Sequence, residues 1–224
     1  MCQFIETMCV EQGRIINLDY HLARIMRTRK HFWNVQAPIP VNRLLAIAAT
    51  QTERAKLRFE YDGYNIYNLS CTPYNIKKVE TLRLVINDDI EYTYKNTNRC
   101  VLNQLKSQAD GADEIIIVKR NHITDTSYTN IALFDGTQWV TPSTPLLNGT
   151  RRAQLIDAGR LIEQEVCITN LSSFQSISLI NAMMDLNELV LPISSIVGSC
   201  RVYDLFLSHK ITYILFLPHH CYCI

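Results

Sequence analysis

Apolar side chains recur at helical spacing over residues 17–34, where Leu18, Leu22, Ile25, Met26 and Trp33 fall along one stripe and Asn17 or Asp19 is placed to cap the start. The same segment sets His21, Arg24 and Thr28 at i, i+3 and i+7, which gives the helix a second, polar face with an arginine fixed in it. Pro38 and Pro40 end that element, and VNRLLAIAATQTERA over 41–55 predicts a second helix. The period then drops toward two: LRFEY and YNIYNLS flank Asp62-Gly63, a dipeptide that predicts a hairpin. Residues 1–81 thus read as a small α+β domain.

The following part is richer in strands. Leu82–Asn87 predicts a strand, Glu91–Lys95 a short β-type stretch, and 99–109 a helix that Gly111 ends. Glu114–Lys119 is an unbroken Ile/Val run, as in a strand buried on both faces, and Ile123–Phe134 predicts another, which Asp135-Gly136 turns into Gln138–Thr141. Gly149–Ala158, closed by Gly159, reads as a helix, Glu165–Thr169 as a strand, Ser172–Leu179 as a short helix and Leu189–Ile193 as the final strand. A larger, strand-rich domain over 82–198 follows from this order. The segment 199–224 is apolar without an amphipathic period, and it reads as a separate, irregular tail. It ends in His219, His220, Cys221 and Cys223, whose spacing lacks the Cys-x2-Cys or His-x3-His pairs of structural zinc sites, so no metal is expected there.

Composition narrows the partners. With 22 Lys plus Arg against 21 Asp plus Glu, the net charge is +1, and no basic stripe stands out, so nucleic acid is not an expected partner. Only seven glycines occur, in no GxGxxG or GxxxxGK[ST] arrangement, which leaves no glycine-rich nucleotide cradle. The eight cysteines are scattered without a CxxC pair, and Met1 leads straight into CQFIETM with no signal-peptide pattern, so a reducing, cytoplasmic setting is expected. The longest near-continuous apolar stretch, Ile211–Leu217, is far short of the ~20 residues of a membrane span, and no membrane association is expected.

Three polar features exceed what packing requires. Lys95 stands among Tyr92 and Tyr94, where desolvation would lower its pKa toward a nucleophilic amine, although a lysine at a strand end is ordinarily just solvated. Asp125 lies between two β-type runs, where an Asx-turn is the ordinary use of an aspartate. The loop Asn148-Gly149-Thr150-Arg151 precedes a helix, so free N–H groups point out of it toward any anion, or merely start the helix.

Taken in order, these pieces resemble the class IV pyridoxal-phosphate enzymes, which include branched-chain and D-amino-acid aminotransferases and aminodeoxychorismate lyase. The resemblance runs over roughly 4–193: Phe4-Ile5-Glu6-Thr7, then Gly13 and Leu18-Asp19-Tyr20-His21-Leu22-Ala23-Arg24-Ile25, Lys95-Asn96-Thr97-Asn98-Arg99, Ile123-Thr124-Asp125 with Asn130-Ile131, Thr141-Pro142, Leu147-Asn148-Gly149-Thr150-Arg151-Arg152, and Asn181-Ala182-Met183-Met184. It implies an α/β (α+β) fold of two domains, the fold type IV arrangement, with the small N-terminal domain and a larger pseudo-barrel domain holding pyridoxal 5'-phosphate between them, usually in a homodimer. It implies Lys95 as the Schiff-base lysine and proton-moving base, and Asp125, where most members carry Glu, as partner of the pyridine nitrogen. It assigns Arg24, Thr150 and Arg151 to the phosphate, with Asn181 and Ala182 beside it. Longer members carry about 30 residues ahead of the first strand, set against ordinary domain sizes. Cys100 stands five beyond Lys95, where branched-chain aminotransferases place a tyrosine, and Lys95-x-x-Asn98-Arg99 with Asn181-Ala182-Met183-Met184 is nearer the lyase branch. The resemblance thus implies a lyase releasing pyruvate from 4-amino-4-deoxychorismate, with alternatives of a transaminase on a small amino acid using a 2-oxo acid acceptor, or a cofactor-binding protein without catalysis.

Overall fold

The computed structural model describes residues 3–197, so the segment 199–224 with its His and Cys cluster lies outside the described residues. Strands β1 (Phe4–Glu11), β2 (Arg14–Ile15), β3 (Ala55–Tyr61) and β4 (Ile66–Pro73) form one antiparallel sheet in the order β2-β1-β3-β4. Its period-two alternation turns Phe4, Met8, Leu57, Phe59 and Tyr61 onto one face, where they pack in a common core with Ile25 of helix α1 (Leu18–Trp33) and Leu44 of helix α2 (Val41–Ala48). Helix α1 follows its apolar stripe closely and ends at Asn34, whose N–H donates to the Lys30 carbonyl (3.1 Å) and whose left-handed backbone brings the Val35 N–H onto the Arg29 carbonyl (3.3 Å). Helix α2 stops seven residues short of the periodic segment, because Ala55 is taken by β3 to pair with Val10.

The Asp62-Gly63 hairpin is present, with a four-residue connection rather than a two-residue one. Asp62 Oδ1 accepts hydrogen bonds from the backbone N–H groups of Tyr64 (2.7 Å) and Asn65 (2.8 Å), and Oδ2 accepts from the Tyr67 hydroxyl (2.7 Å). Gly63 is required for space: a Cβ there would stand 2.7 Å from Trp33 Cγ.

Beyond residue 81 the chain builds two further sheets. Strands β5 (Leu82–Ile86), β6 (Glu114–Lys119) and β7 (His122–Thr126) lie side by side, β5 parallel to β6. Strands β8 (Asn130–Phe134), β9 (Trp139–Pro142), β10 (Ile162–Gln164), β11 (Ser176–Ile180) and β12 (Val190–Pro192) form a sheet in the order β10-β9-β8-β11-β12. Residues of both sheets share one core, among them Ile116, Val118, Ile123, Leu133, Ile177 and Leu179. Helices α3 (Cys100–Lys106) and α4 (Thr150–Asp157) lie where the pattern places them.

Four expectations differ. Glu91–Lys95 is not a strand; the loop meets β1 through an isolated bridge between Asn96 and Phe4 and through Tyr94, whose ring packs edge-on against Phe4. Ile123–Phe134 is two strands, because Thr126 turns the chain: its N–H donates to the Thr129 carbonyl (2.9 Å) and its hydroxyl accepts from the Thr129 N–H (2.9 Å). The parallel partner of β9 is Ile162–Gln164 rather than Glu165–Thr169, which lies against β7 only at His122 and Cys167. Ser172–Leu179 is not helical: Leu171, Phe174 and Ile177 imitate a helical period, but 168–173 is a 3-10 turn and 176–180 is claimed as β11 between β8 and β12. No described helix is long and apolar enough to cross a membrane.

Candidate active site

The loop before α3 carries Lys95, and it is held without being a strand. The Ile5 N–H donates to the Lys95 carbonyl (2.9 Å), the Thr97 N–H to the Gln3 carbonyl (3.0 Å), and the Tyr92 hydroxyl to the Asn96 carbonyl (2.8 Å). Arg99 reaches from the end of the loop to the Ser127 carbonyl (2.6 Å) and lies over the Tyr92 ring. These ties aim Lys95 into a cavity with about 910 Å³ of empty space, counting its open mouth. Burial, then repulsion from Arg24, pushes the Lys95 amine down to about 8 against the pull of Glu6 and Asp125.

Asp125, near the end of β7, is buried in the same cavity wall. Its Oδ1 accepts from Asn130 Nδ2 (2.8 Å) and its Oδ2 from the Leu147 N–H (2.9 Å), so both oxygens are already oriented. Burial still outweighs those bonds and pushes the carboxyl up to about 6. Asn130 also donates to the Leu147 carbonyl (2.8 Å), tying β8 to the loop ahead of α4.

Gly149 closes this arrangement, because a Cβ there would stand 1.9 Å from Asn130 Oδ1. Gly149→Ala is therefore expected to destabilise the fold by about 2 kcal/mol in urea unfolding, within the usual cost of overpacking. Adding Asn130→Ala makes room for the methyl, so the double variant should lose clearly less than the sum of the two single ones.

Arg24, from the polar face of α1, lines the cavity with its guanidinium locked onto a buried carboxylate: Nε to Glu6 Oε1 and Nη2 to Glu6 Oε2, both 2.7 Å. Burial pushes Glu6 up, but the charge of Arg24 and hydrogen bonds from His21 and Arg24 outweigh it and hold the carboxyl at about 2. Burial keeps His21 below its ordinary pKa, hence neutral, with Nδ1 on Glu6 (2.8 Å) and Nε2 on the Thr150 hydroxyl (3.3 Å). The first turn of α4 is thereby tied to α1.

Of the seven residues singled out from sequence, Arg24, Lys95, Asp125, Thr150, Asn181 and Ala182 all line this one cavity, and Arg151 does not. One step along α4 from Thr150, Arg151 points elsewhere and places Nη1 3.4 Å from Asp185 Oδ2. Asn181 caps the tight turn before Met184, with Oδ1 accepting from the Met183 N–H (2.8 Å), which leaves Ala182 at the tip. Cys100 lines a separate groove beside Phe4 and Phe32.

The sequence reading missed Thr7, Lys56, Tyr74 and Tyr128 as cavity residues. Lys56 alternates with Arg58 and Glu60 on β3 and reads as part of a solvated strand face, so nothing local marks it. Lys56 has no ion-pair partner among the described residues, and the buried Tyr128 hydroxyl makes no hydrogen bond.

The site therefore offers a deprotonatable amine, an oriented buried carboxylate, a helix start and further cations around one cavity. Residues 3–196 match the model of the amino-transferase class IV family. A Haemophilus influenzae protein of uncharacterised function is 33% identical over 186 residues, 82% of this chain and 98% of its own. The crystal structure of a putative 4-amino-4-deoxychorismate lyase from Haemophilus somnus is 32% identical with a TM-score of 0.78, covering 83% of this chain and 98% of that one. That of a putative amino-acid aminotransferase from Mesorhizobium loti is 24% identical with a TM-score of 0.71, covering 86% and 98%. With its fold and nearly the whole described chain matched, the protein belongs to the class IV aminotransferases, a family of pyridoxal-phosphate-dependent enzymes.

Proposed function

We propose that this enzyme is a lyase that releases pyruvate from 4-amino-4-deoxychorismate or a closely similar amino acid. The observation that carries the reading is Lys95, its amine brought down to about 8, in one cavity with the buried carboxylate of Asp125. The donor set fits pyridoxal phosphate: an amine for its aldehyde, a carboxylate for its ring nitrogen, and the N–H groups at the start of α4 with Arg24 for its phosphate. The unpartnered Tyr128 hydroxyl is a further donor on the cavity wall. When bound, the cofactor supplies an aldehyde that condenses with amines and a ring that withdraws electrons from the adjacent carbon.

Lys95 Nζ serves as the proton carrier at the carbon bearing the substrate's amine, and its lowered pKa suits it to take and return a proton near neutral pH. Asp125 holds negative charge in place through Asn130 and Leu147, and a cationic ring nitrogen beside it would draw its pKa back down. Glu6 neutralises most of the Arg24 charge, so phosphate binding depends on backbone N–H groups as well as on the guanidinium. Lys56 and Arg99, on the cavity wall, suit a substrate with more than one carboxylate.

The lyase reading over amino transfer is supported by Asn181-Ala182-Met183-Met184 and by the Haemophilus somnus structure, named for a putative lyase. The test is pyruvate release from aminodeoxychorismate by the loaded enzyme with no 2-oxo acid present. Turnover that requires a 2-oxo acid would replace the lyase with a transaminase. Lys56→Ala is expected to raise the substrate KM about tenfold with kcat within about twofold, as for loss of one charge-assisted contact. A fall in kcat alone would remove Lys56 from substrate binding. We also propose a homodimer in the cytoplasm; the exposed apolar surface at Phe32 and Val101 supports the first, and free Cys9, Cys71, Cys100 and Cys167 the second.

A further inference from the structure

We infer that His122, Glu165 and Cys167 form a binding site for a borderline-soft divalent cation of the Zn(II) class, separate from the active site and independent of the reaction assigned to it. The backbone brings the three together. His122 and Cys167 are directly opposed in an antiparallel bridge, flanked by hydrogen bonds from the Ile123 N–H to the Val166 carbonyl (2.8 Å) and from the Ile168 N–H to the Asn121 carbonyl (3.1 Å). That is the non-hydrogen-bonded kind of pair, in which facing side chains stand closest, and Glu165, two residues before Cys167, shares the same face.

The ligand atoms are already grouped. His122 Nε2 lies 2.9 Å and Cys167 Sγ 3.9 Å from Glu165 Oε1, and all three atoms fall within 4.8 Å of one another. A tetrahedral zinc ion with ordinary bond lengths separates such atoms by roughly 3.3–3.6 Å, so side-chain adjustments of about an ångström suffice. The imidazole is also oriented: Nδ1 is 2.8 Å from the Arg120 carbonyl, which can only accept, so Nδ1 keeps its proton, and Nε2, which donates to the Glu165 carboxylate in the free protein, is the nitrogen a cation would take in place of that proton. Arg120 and Asn121 both adopt left-handed backbone angles, φ 49° and 68°, and this turn delivers His122 to the bridge. One nitrogen, one carboxylate oxygen and one thiolate sulfur leave a fourth position for water. Binding releases two protons to solvent, one from the Cys167 S–H bond and one from His122 Nε2–H, and thiolate plus carboxylate balance the charge of the ion. The site joins the start of β7, whose far end carries Asp125 and Thr126, to the 165–167 segment, so an ion there would pin that strand from behind.

The test is titration of the reduced, metal-free full chain with Co(II), followed by displacement with Zn(II). To exclude the His219, His220, Cys221 and Cys223 cluster, it is run in a Cys221→Ser/Cys223→Ser background as well. The expected result is one equivalent with the visible bands of tetrahedral cobalt and a thiolate charge-transfer band, retained in that background and lost in Cys167→Ser. His122→Ala should weaken binding at least about tenfold, the scale on which even outer partners of metal sites act. Zn(II) should raise Tm in the unsubstituted chain and leave Cys167→Ser unmoved, with far-UV circular dichroism confirming that the variant folds. Bands that persist in Cys167→Ser, or that vanish in the Cys221→Ser/Cys223→Ser background, would overturn the assignment.

Discussion

Lys95→Ala is expected to abolish both turnover and covalent capture of the cofactor: after loading with pyridoxal phosphate and borohydride reduction, a pyridoxyl mass should appear on the Lys95 peptide of the unsubstituted chain and nowhere in the variant. The lysine is our proposed nucleophile because of where it is held, in a loop clamped by Gln3, Ile5 and Tyr92, with burial and Arg24 bringing its amine to about 8. The free amine is the reactive form, so the rate of capture should rise as pH increases through about 8 and level off above it. A capture rate independent of pH across that range, or a modified peptide from elsewhere in the chain, would move the role to another group.

Glu6→Gln is expected to cost the fold about 3 kcal/mol in urea unfolding. The carboxylate is fully buried, takes both 2.7 Å bonds from Arg24 and one from His21, and its loss leaves a guanidinium that is only 6% exposed without its counter-charge. Removing one partner of a buried pair ordinarily costs about 3–5 kcal/mol. Linkage gives a similar figure: a carboxyl lowered from 4.5 to about 2 contributes about 3 kcal/mol. Because the folded pKa is the lower one, this stability is fully present above about pH 4.5 and is lost as pH falls toward 2. The acid limb of the stability curve between those values should therefore flatten in Glu6→Gln. Adding Arg24→Met should return part of the loss, since a buried ion pair is often replaceable by apolar packing. A change below about 1 kcal/mol in the single variant would place the Glu6–Arg24 pair in contact with water.

Much of this was legible in the chain itself. The period-two run LRFEY identified β3 and the Ile/Val run identified β6, because the first buries every second residue and the second nearly all of them, and the local pattern alone records that. The order of Arg24, Lys95, Asp125 and Thr150 along the chain also carried the site, and all four line one cavity. What escaped was whatever depends on a partner distant in sequence. The length of α2 is cut by pairing of Ala55 with Val10, and β11 follows a pseudo-helical spacing that only its neighbours β8 and β12 resolve. Arg151 and Arg152 look alike in sequence, yet one goes to Asp185 and the other to Glu163. Lys56 is indistinguishable from Arg58 until the sheet is laid beside the cavity.

The clamp on the Lys95 loop sets an order of events during folding. The Ile5 N–H grips a carbonyl ninety positions away in the chain, and Thr97 returns to Gln3 over a similar span. Closing so long a loop comes at an entropic penalty that local structure cannot offset, and non-local contacts of this kind form slowly. The helices and hairpins can assemble before that seam is sealed, whereas Lys95 is placed only afterwards. Recovery of cofactor capture during refolding should accordingly lag behind recovery of helical circular dichroism, which makes the colour of the holoenzyme a reporter of long-range closure rather than of secondary structure.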